Sequence, residues 1–329
     1  MAFQEVLPQE IERVTRPRRM SYSSRKDLHT CARKWFFKKV KRVERDDDLV
    51  EDDIHLRLGT AYHSLLELCK EHMRATPEQA HFFAIELDLE PLHEGQILAM
   101  ARAYAEFFKK LEVESIGFEL RLLTDSIVGY VDRIYHRPSD GAWWIVDHKT
   151  AKKMANGLPE RLLRDEQLAS YYSLREQICE ELKLDLNKFA GCCYTVCHKP
   201  NYVIKTGETP AEYAARIEPK IEICQYTFMP DDKFARQTRG GLEADWIYQQ
   251  CTERAFEQNP ETLPGANFNA CFDYFRPCPY WSQCYGVKFS ESVKLIDSRS
   301  TKHGTVTPLE IARTAEPPAR EVFPDGLDF

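Results

Sequence analysis

Apolar residues fall at helical spacing along the first third of the chain and at alternate positions through its middle. Ser23 or Ser24 is placed to cap a helix that runs through Cys31 to about Val40. A second helix is predicted over Leu58–Met73, with Ala61, Leu65 and Leu68 on one stripe, and helical patterns continue over Pro77–Leu87 and Pro91–Val113. Three strand patterns follow, over Ile116–Leu123, Ile127–Tyr135 and Ala142–Lys149. A helix is then predicted over Pro159–Leu182, strands over Phe189–Val196 and Ile221–Phe228, and a long helix from Pro230 or Asp231 to Gln258. Residues 1–20 read as an extended arm, 260–288 as irregular, and the polar, proline-bearing segment from 290 as a largely disordered tail. Helices, a three-strand meander, a helix and further strands make a mixed α/β core with flanking helices.

The second and third strands stand out. They form a hairpin around Pro-Ser-Asp-Gly, and each carries one acidic residue in an otherwise apolar run, Asp132 and Asp147. Lys149 follows Asp147 by two residues, so on a strand both side chains face the same way. Buried charges of this kind are costly unless they pair or bind a metal. Two carboxylates and a lysine converging from a hairpin suit a Mg²⁺-dependent phosphodiesterase.

Composition constrains the rest. The 329 residues, 43% hydrophobic and 12% aromatic, suffice for one large α/β domain or two small ones. No apolar run reaches the roughly 18–20 residues of a membrane span, and the N-terminus lacks a secretory pattern. These features predict a cytoplasmic protein with no membrane partner. The formal net charge of −7 argues weakly against a nucleic-acid partner, but the local distribution differs. Arg33, Lys34, Lys38, Lys39, Lys41 and Arg42 are interleaved with Trp35, Phe36 and Phe37, behind Arg16, Arg18 and Arg19. That run reads equally as a solvated helix face or as a phosphate-tracking surface. No Gly-x-x-x-x-Gly-Lys-Ser/Thr occurs, so nothing points to an ATP-driven motor.

Further residues join the hairpin. His63 lies in Gly59-Thr-Ala-Tyr-His63, Glu119 lies in the strand before the hairpin, and Gln167 and Tyr171 are spaced to share one helix face. Taken singly, His63 reads as an exposed or structurally bonded histidine and Glu119 as an edge-strand charge. Together, Gly59-x-x-x-His63, Gly129-Tyr-Val-Asp132, Asp147-His-Lys149-Thr and Gln167-x-x-x-Tyr171 resemble, in order, the motifs of the PD-(D/E)xK nuclease superfamily in its RecB-like branch, which includes CRISPR-associated exonucleases. The resemblance covers roughly residues 21–288. It implies a restriction-endonuclease-like core over 21–289 with a helical N-terminal part and a C-terminal cysteine cluster. It implies that His63, Asp132, Asp147 and the backbone carbonyl of His148 hold Mg²⁺ or Mn²⁺. Lys149 would orient the attacking water or stabilise the transition state, and Gln167 and Tyr171 would support the site. Val131 precedes Asp132 where the family's motif has proline, a departure common in this branch.

The chain has 11 cysteines, an odd number, which argues against a disulfide framework. Cys271, Cys278 and Cys284 cluster near the C-terminal end, and Cys31 sits beside the basic run. Four thiolates suit either a [4Fe–4S] cluster or structural zinc. The resemblance implies the iron–sulfur cluster, although the wide Cys271–Cys278 spacing departs from the tighter family pattern. The remaining cysteines read as small buried hydrophobes. The expected activity is a metal-dependent DNA exonuclease on single-stranded ends, in recombination, repair or end processing, with any helicase supplied by a partner. The alternatives are a non-catalytic DNA-binding module of the same fold, or an RNA-directed nuclease.

Overall fold

The computed structural model describes residues 18–43, 45, 54–69, 74–151, 160, 162, 164–259, 261, 263–273 and 276–286. Most of the predicted arm, the tail from 290, and part of the predicted Leu58–Met73 and Pro159–Leu182 helices lie outside these residues. The chain divides into two compact units, residues 1–25 with 53–254 and residues 26–52 with 255–329.

In chain order the elements are α1 (Tyr22–Thr30), α2 (Ala32–Trp35) running into a π-helical turn (Phe36–Lys41), α3 (Ile54–Leu68), α4 (Pro77–Glu86), α5 (Pro91–Phe108), β1 (Glu114–Leu123), β2 (Val128–Arg137), β3 (Ala142–Ala151), α6 (Glu166–Tyr172), α7 (Arg175–Leu182), β4 (Phe189–His198), α8 (Pro210–Ile217), β5 (Ile223–Phe228), α9 (Asp232–Gln258), the short pair β6 (Phe272–Asp273) and β7 (Arg276–Pro277), and α10 (Trp281–Tyr285).

The larger unit is built on a five-stranded sheet of order β1-β2-β3-β4-β5. Only β3 and β4 are parallel, as expected for strands joined by the crossover that carries α6 and α7. The β2–β3 turn closes at Gly141, whose φ of 75° suits glycine. There the Asp140 carboxylate accepts the Ala142 N–H at 3.0 Å and pairs with Arg137 at 2.7 Å.

Residues of α3, α4, α5 and α8 pack with Tyr135, Val146, Cys193 and Cys197 into one apolar core. Cys192 is buried but lies outside that cluster, in keeping with strand alternation. Gly95 lets α5 and α8 approach closely: a Cβ there would lie 2.8 Å from the Pro210 carbonyl oxygen. Trp143 is fully buried, packs on Phe189 at 4.6 Å between ring centroids and donates its indole N–H to the Asp185 carbonyl at 2.9 Å.

Pairing along the sheet is uneven, and this shapes the site. The β1–β2 ladder continues to Leu123↔Val128, and the β3–β4 ladder continues to Ala151↔His198. The β2–β3 ladder stops at Arg133↔Val146. The sheet therefore forks, and Asp132 and Asp147 are the first residues past the last pair. Arg133 braces the fork: it is buried, donates to the Leu66 carbonyl near the end of α3 at 2.5 Å, and lies over the rings of Phe118 and Tyr104.

Several predicted boundaries move for local reasons. The first helix starts at Tyr22, because Ser21, not Ser23 or Ser24, supplies the cap: its hydroxyl accepts the Ser24 N–H at 3.1 Å. It breaks at Cys31, whose φ and ψ of −162° and 114° are extended. The predicted Pro159–Leu182 helix is interrupted between α6 and α7 at Ser173 and Leu174. Within the arm, Met20 is buried and pairs with Ile127.

Replacing Trp143 with alanine is expected to cost about 3–5 kcal/mol of unfolding free energy, the usual range for emptying a large aromatic site. Urea denaturation of Trp143→Ala against wild type measures it, and a loss well under 1 kcal/mol would contradict the packing described.

Candidate active site

The fork turns backbone groups toward side chains. Past Arg133↔Val146 the His148 N–H has no β2 carbonyl to pair with. It donates instead to Asp132 Oδ2 at 2.7 Å. His63, on α3, brings Nδ1 within 3.5 Å of the same oxygen. Helix α6 arrives from the other side. Asp165 caps its first turn by accepting the N–H groups of Gln167 and Leu168. That cap places Gln167 so that its Nε2 donates to Asp147 Oδ1 at 2.8 Å and to the Tyr171 hydroxyl at 3.1 Å. Lys149 Nζ lies 2.7 Å from Asp147 Oδ2 and donates to Gln167 Oε1 at 2.9 Å. Asp147, Lys149, Gln167 and Tyr171 thus form one connected network, with His63, Asp132 and the His148 backbone beside it. Gly129 is required next to this network, since a Cβ there would come within 2.8 Å of Tyr171 Cε1.

An open cleft of about 570 Å³ lies beside this network, lined on one side by α3 and on the other by Glu119, Asp132, His148, Lys149 and Thr150. Two lining carboxylates extend the acidic set. Glu67 lies one helical turn beyond His63, a spacing readable in the sequence. Glu119 is in β1 with φ of 43°, a left-handed value rare for a non-glycine residue in a strand. Nothing in the sequence announces that backbone turn. Nor does the sequence mark Tyr194 as part of the site. It is fully buried, and Lys149 Nζ sits 5.6 Å from its ring centroid.

Burial dominates the electrostatics. Desolvation raises the Asp147 carboxyl to about 7; Lys149 pulls the other way and Asp132 adds to the rise. Desolvation also raises Asp132, against the His148 N–H and Lys149, which favour its ionised form. Glu119 is raised to about 7 by desolvation and by Asp132, Glu67 and Asp147. His63 is lowered, chiefly by burial. Burial works to lower Lys149, but Asp147 and Asp132 outweigh it, so the ammonium is held charged. His148 is pushed well down by burial, and neither ring nitrogen has a hydrogen-bond partner among the described residues.

Among the described residues no three His, Cys, Asp or Glu side chains are gathered tightly enough to enclose an ion. The donor chemistry nonetheless suits a hard divalent cation. Buried Asp147 and partly exposed Asp132 lie on either side of the fork with a neutral imidazole beside them, and one lysine does not offset their desolvation.

In the smaller unit, the structure brings the four predicted cysteines into one neighbourhood. Cys31 Sγ accepts the Asn267 N–H at 3.4 Å, Cys271 Sγ lies 3.3 Å from the Tyr285 hydroxyl, and the Cys278 N–H donates to the Cys271 carbonyl at 2.8 Å. Burial pushes the Cys284 thiol up to about 12; Arg33 opposes this, and Cys278, Cys271 and Cys31 add to it. Cys278 is raised by burial, with Lys34 opposing and Cys271 and Cys31 contributing. The predicted basic run is divided by this packing. Arg33 donates to the Pro264 carbonyl at 3.0 Å, Lys38 pairs with Asp27 at 2.8 Å, and Lys41 sits 4.9 Å from the Phe256 ring centroid. Lys34, Lys39 and Arg42 lie in the same segment, and Arg42 is exposed.

A family model of the PD-(D/E)XK nuclease superfamily matches residues 19–285, most of the chain. The chain belongs to this superfamily. Its mixed five-stranded sheet with flanking helices is the restriction-endonuclease-like fold of that family. Among solved structures it is similar to one named "Putative exonuclease" from Eubacterium rectale, at 13% identity, covering 77% of this chain and 88% of that chain, with a TM-score of 0.43. No curated protein matches the chain. Among the described residues of this nuclease, no helix is long and apolar enough to cross a membrane.

A carboxyl whose pKa is raised on folding stabilises the fold while protonated. That contribution is complete below the ordinary carboxylate range and disappears as pH rises through the folded value. With Asp147 and Glu119 both raised to about 7, the metal-free protein is expected to melt at a higher temperature near about pH 5 than near about pH 8. Asp147→Asn should flatten that dependence. A wild-type melting temperature that climbs over the interval, or an equal slope in the variant, contradicts the burial described.

Proposed function

We propose that this nuclease is a metal-dependent DNA exonuclease acting on single-stranded ends, in the RecB-like branch of its superfamily. The convergence of His63, Asp132, Asp147 and Lys149 at the sheet fork supports the reading most directly. His63, Asp132, Asp147 and the His148 carbonyl would hold Mg²⁺ or Mn²⁺. When bound, the ion lowers the pKa of a coordinated water and neutralises charge that builds on the scissile phosphate. The protein's own groups do the positioning. Lys149, kept charged by Asp147, offers its ammonium to the attacking water or to the developing negative charge. Gln167 holds Lys149 and Asp147 in register, and Tyr171 holds Gln167. Burial keeps His63 neutral, the form in which its nitrogen serves as a ligand.

The common neighbourhood of four cysteines supports a second part of the proposal, a structural [4Fe–4S] cluster held by Cys31, Cys271, Cys278 and Cys284, with zinc as the other occupant four thiolates would accept. Thiolate binding to a cation would lower the raised Cys278 and Cys284 values, since metal binding and thiol deprotonation are linked. Of the basic residues, Arg42 is exposed and leads the proposed phosphate contacts in this unit, with Arg33, Lys34, Lys38, Lys39 and Lys41 behind it. A helicase or recombination protein would supply any strand opening.

Wild-type protein with Mn²⁺ is expected to shorten end-labelled single-stranded DNA, and Asp147→Ala to reduce the rate by at least about 10³-fold, the scale of losing a charged group that acts in the transition state. Equal background cutting by both proteins would overturn the nuclease reading. DNA binding with no cutting would favour the non-catalytic module, and cutting confined to an RNA strand would move the substrate. For the cysteines, anaerobically purified protein should be brown with a broad visible absorption band, lost in Cys31→Ser. A colourless protein carrying bound zinc would replace iron–sulfur with zinc and leave the nuclease proposal standing.

A further inference from the structure

The exposed face of the β1–β2 ribbon carries an arginine–tyrosine pair next to the catalytic carboxylates. Arg121 on β1 and Tyr130 on β2 are directly opposite in the ladder, so their side chains share one face at close range. Both are exposed, Tyr130 to 48%, while Leu120 and Leu122 on either side of Arg121 are buried, and so is Val131 beside Tyr130. Among the described residues Arg121 has no hydrogen-bond or ion-pair partner and Tyr130 has no ring contact. Glu119 and Asp132 are each two residues further along the same two strands, in the direction of the cleft they line. Along the ribbon the pair is therefore about 7 Å from Glu119 and from Asp132, one of the two proposed metal-binding carboxylates.

The backbone beneath Tyr130 is also held from behind. Tyr171 lies against the bare backbone of Gly129, and the Tyr130 N–H is directed at the Tyr171 hydroxyl. The backbone under Tyr130 is thus tied to the same helix that carries Gln167. A half-exposed ring on an anchored backbone offers a face for a base to stack on, and an unpaired guanidinium beside it matches a phosphate.

We infer that Arg121 and Tyr130 form a nucleotide-binding shelf on which the single strand rests next to the scissile bond, Tyr130 stacking on a base and Arg121 pairing with the adjoining phosphate. Stacking needs a base free of its own helix, so the shelf makes the site selective for single-stranded DNA over paired DNA. The inference rests on the proposed action at single-stranded ends and adds the surface that reads the strand.

Binding of a fluorescein-labelled oligothymidine is measured by anisotropy in EDTA, so that the readout does not depend on cleavage. Tyr130→Leu is expected to weaken binding by about tenfold or more, the range of losing one stacked base, and Tyr130→Phe, which keeps the ring, to recover most of it. Arg121→Gln should weaken binding and reduce the slope of log affinity against log salt by about 0.7, one phosphate contact on a single strand. Tyr202→Leu, at an exposed tyrosine outside the shelf, serves as the comparison, and thermal melts verify that each variant is folded. With Mn²⁺, the same losses should appear in KM rather than kcat, and the preference of wild type for single-stranded over duplex DNA should shrink in Tyr130→Leu. Binding and salt slope equal to wild type in folded Tyr130→Leu and Arg121→Gln overturn the shelf, even if the DNA is cut. Loss of binding in these variants with no cutting by wild type sustains the shelf and overturns the nuclease proposal instead.

Discussion

Two carboxylates taken out of water and held opposite each other are the constraint around which the larger unit is arranged. Asp132 and Asp147 meet where the β2–β3 ladder ends, and burial raises both pKa values. Left alone, such a pair is a liability of several kcal/mol. The surrounding elements can be read as responses to it. The freed His148 N–H turns to Asp132, Lys149 and Gln167 turn to Asp147, and α3 presents His63. One lysine does not neutralise two carboxylates, and the remaining deficit is what a divalent cation would fill in the proposed site.

The fork itself is maintained from behind. Buried Arg133, next in sequence to Asp132, ties β2 to the carbonyl of Leu66 on α3, the helix that bears His63. The Tyr104 and Tyr135 hydroxyls meet at 2.6 Å and join α5 to β2 on the same side. Helix, strand and cleft are therefore positioned by one set of contacts, and a shift of α3 would alter the His63–Asp132 distance directly.

Sequence patterning made the sheet legible because alternation along β1, β2 and β3 is strong and the β2–β3 turn carries its own chemistry in Pro-Ser-Asp-Gly. The hairpin pair Asp132 and Asp147, and the lysine after it, were visible as charges in apolar runs. Gln167 and Tyr171 were visible as helical neighbours. What was hidden depends on backbone turns and long-range placement. The extended Cys31 that ends α1, the left-handed Glu119 and the missing rungs beyond Arg133↔Val146 leave no mark in residue order. Arg121 and Tyr130 are ordinary strand residues until the register sets them side by side. The division of the basic run among Pro264, Asp27 and Phe256 likewise follows from tertiary packing, not from charge pattern.

The most direct test of the central claim is calorimetric titration of the purified nuclease with Mn²⁺ near neutral pH, in two buffers of different ionisation enthalpy. With Asp147 raised to about 7, part of the population is protonated there, and ion binding must displace that proton. The account predicts saturable Mn²⁺ binding with an observed enthalpy that differs between the buffers, and loss of both in Asp147→Asn. Absence of Mn²⁺ binding in wild type, or binding with no proton release, would contradict it.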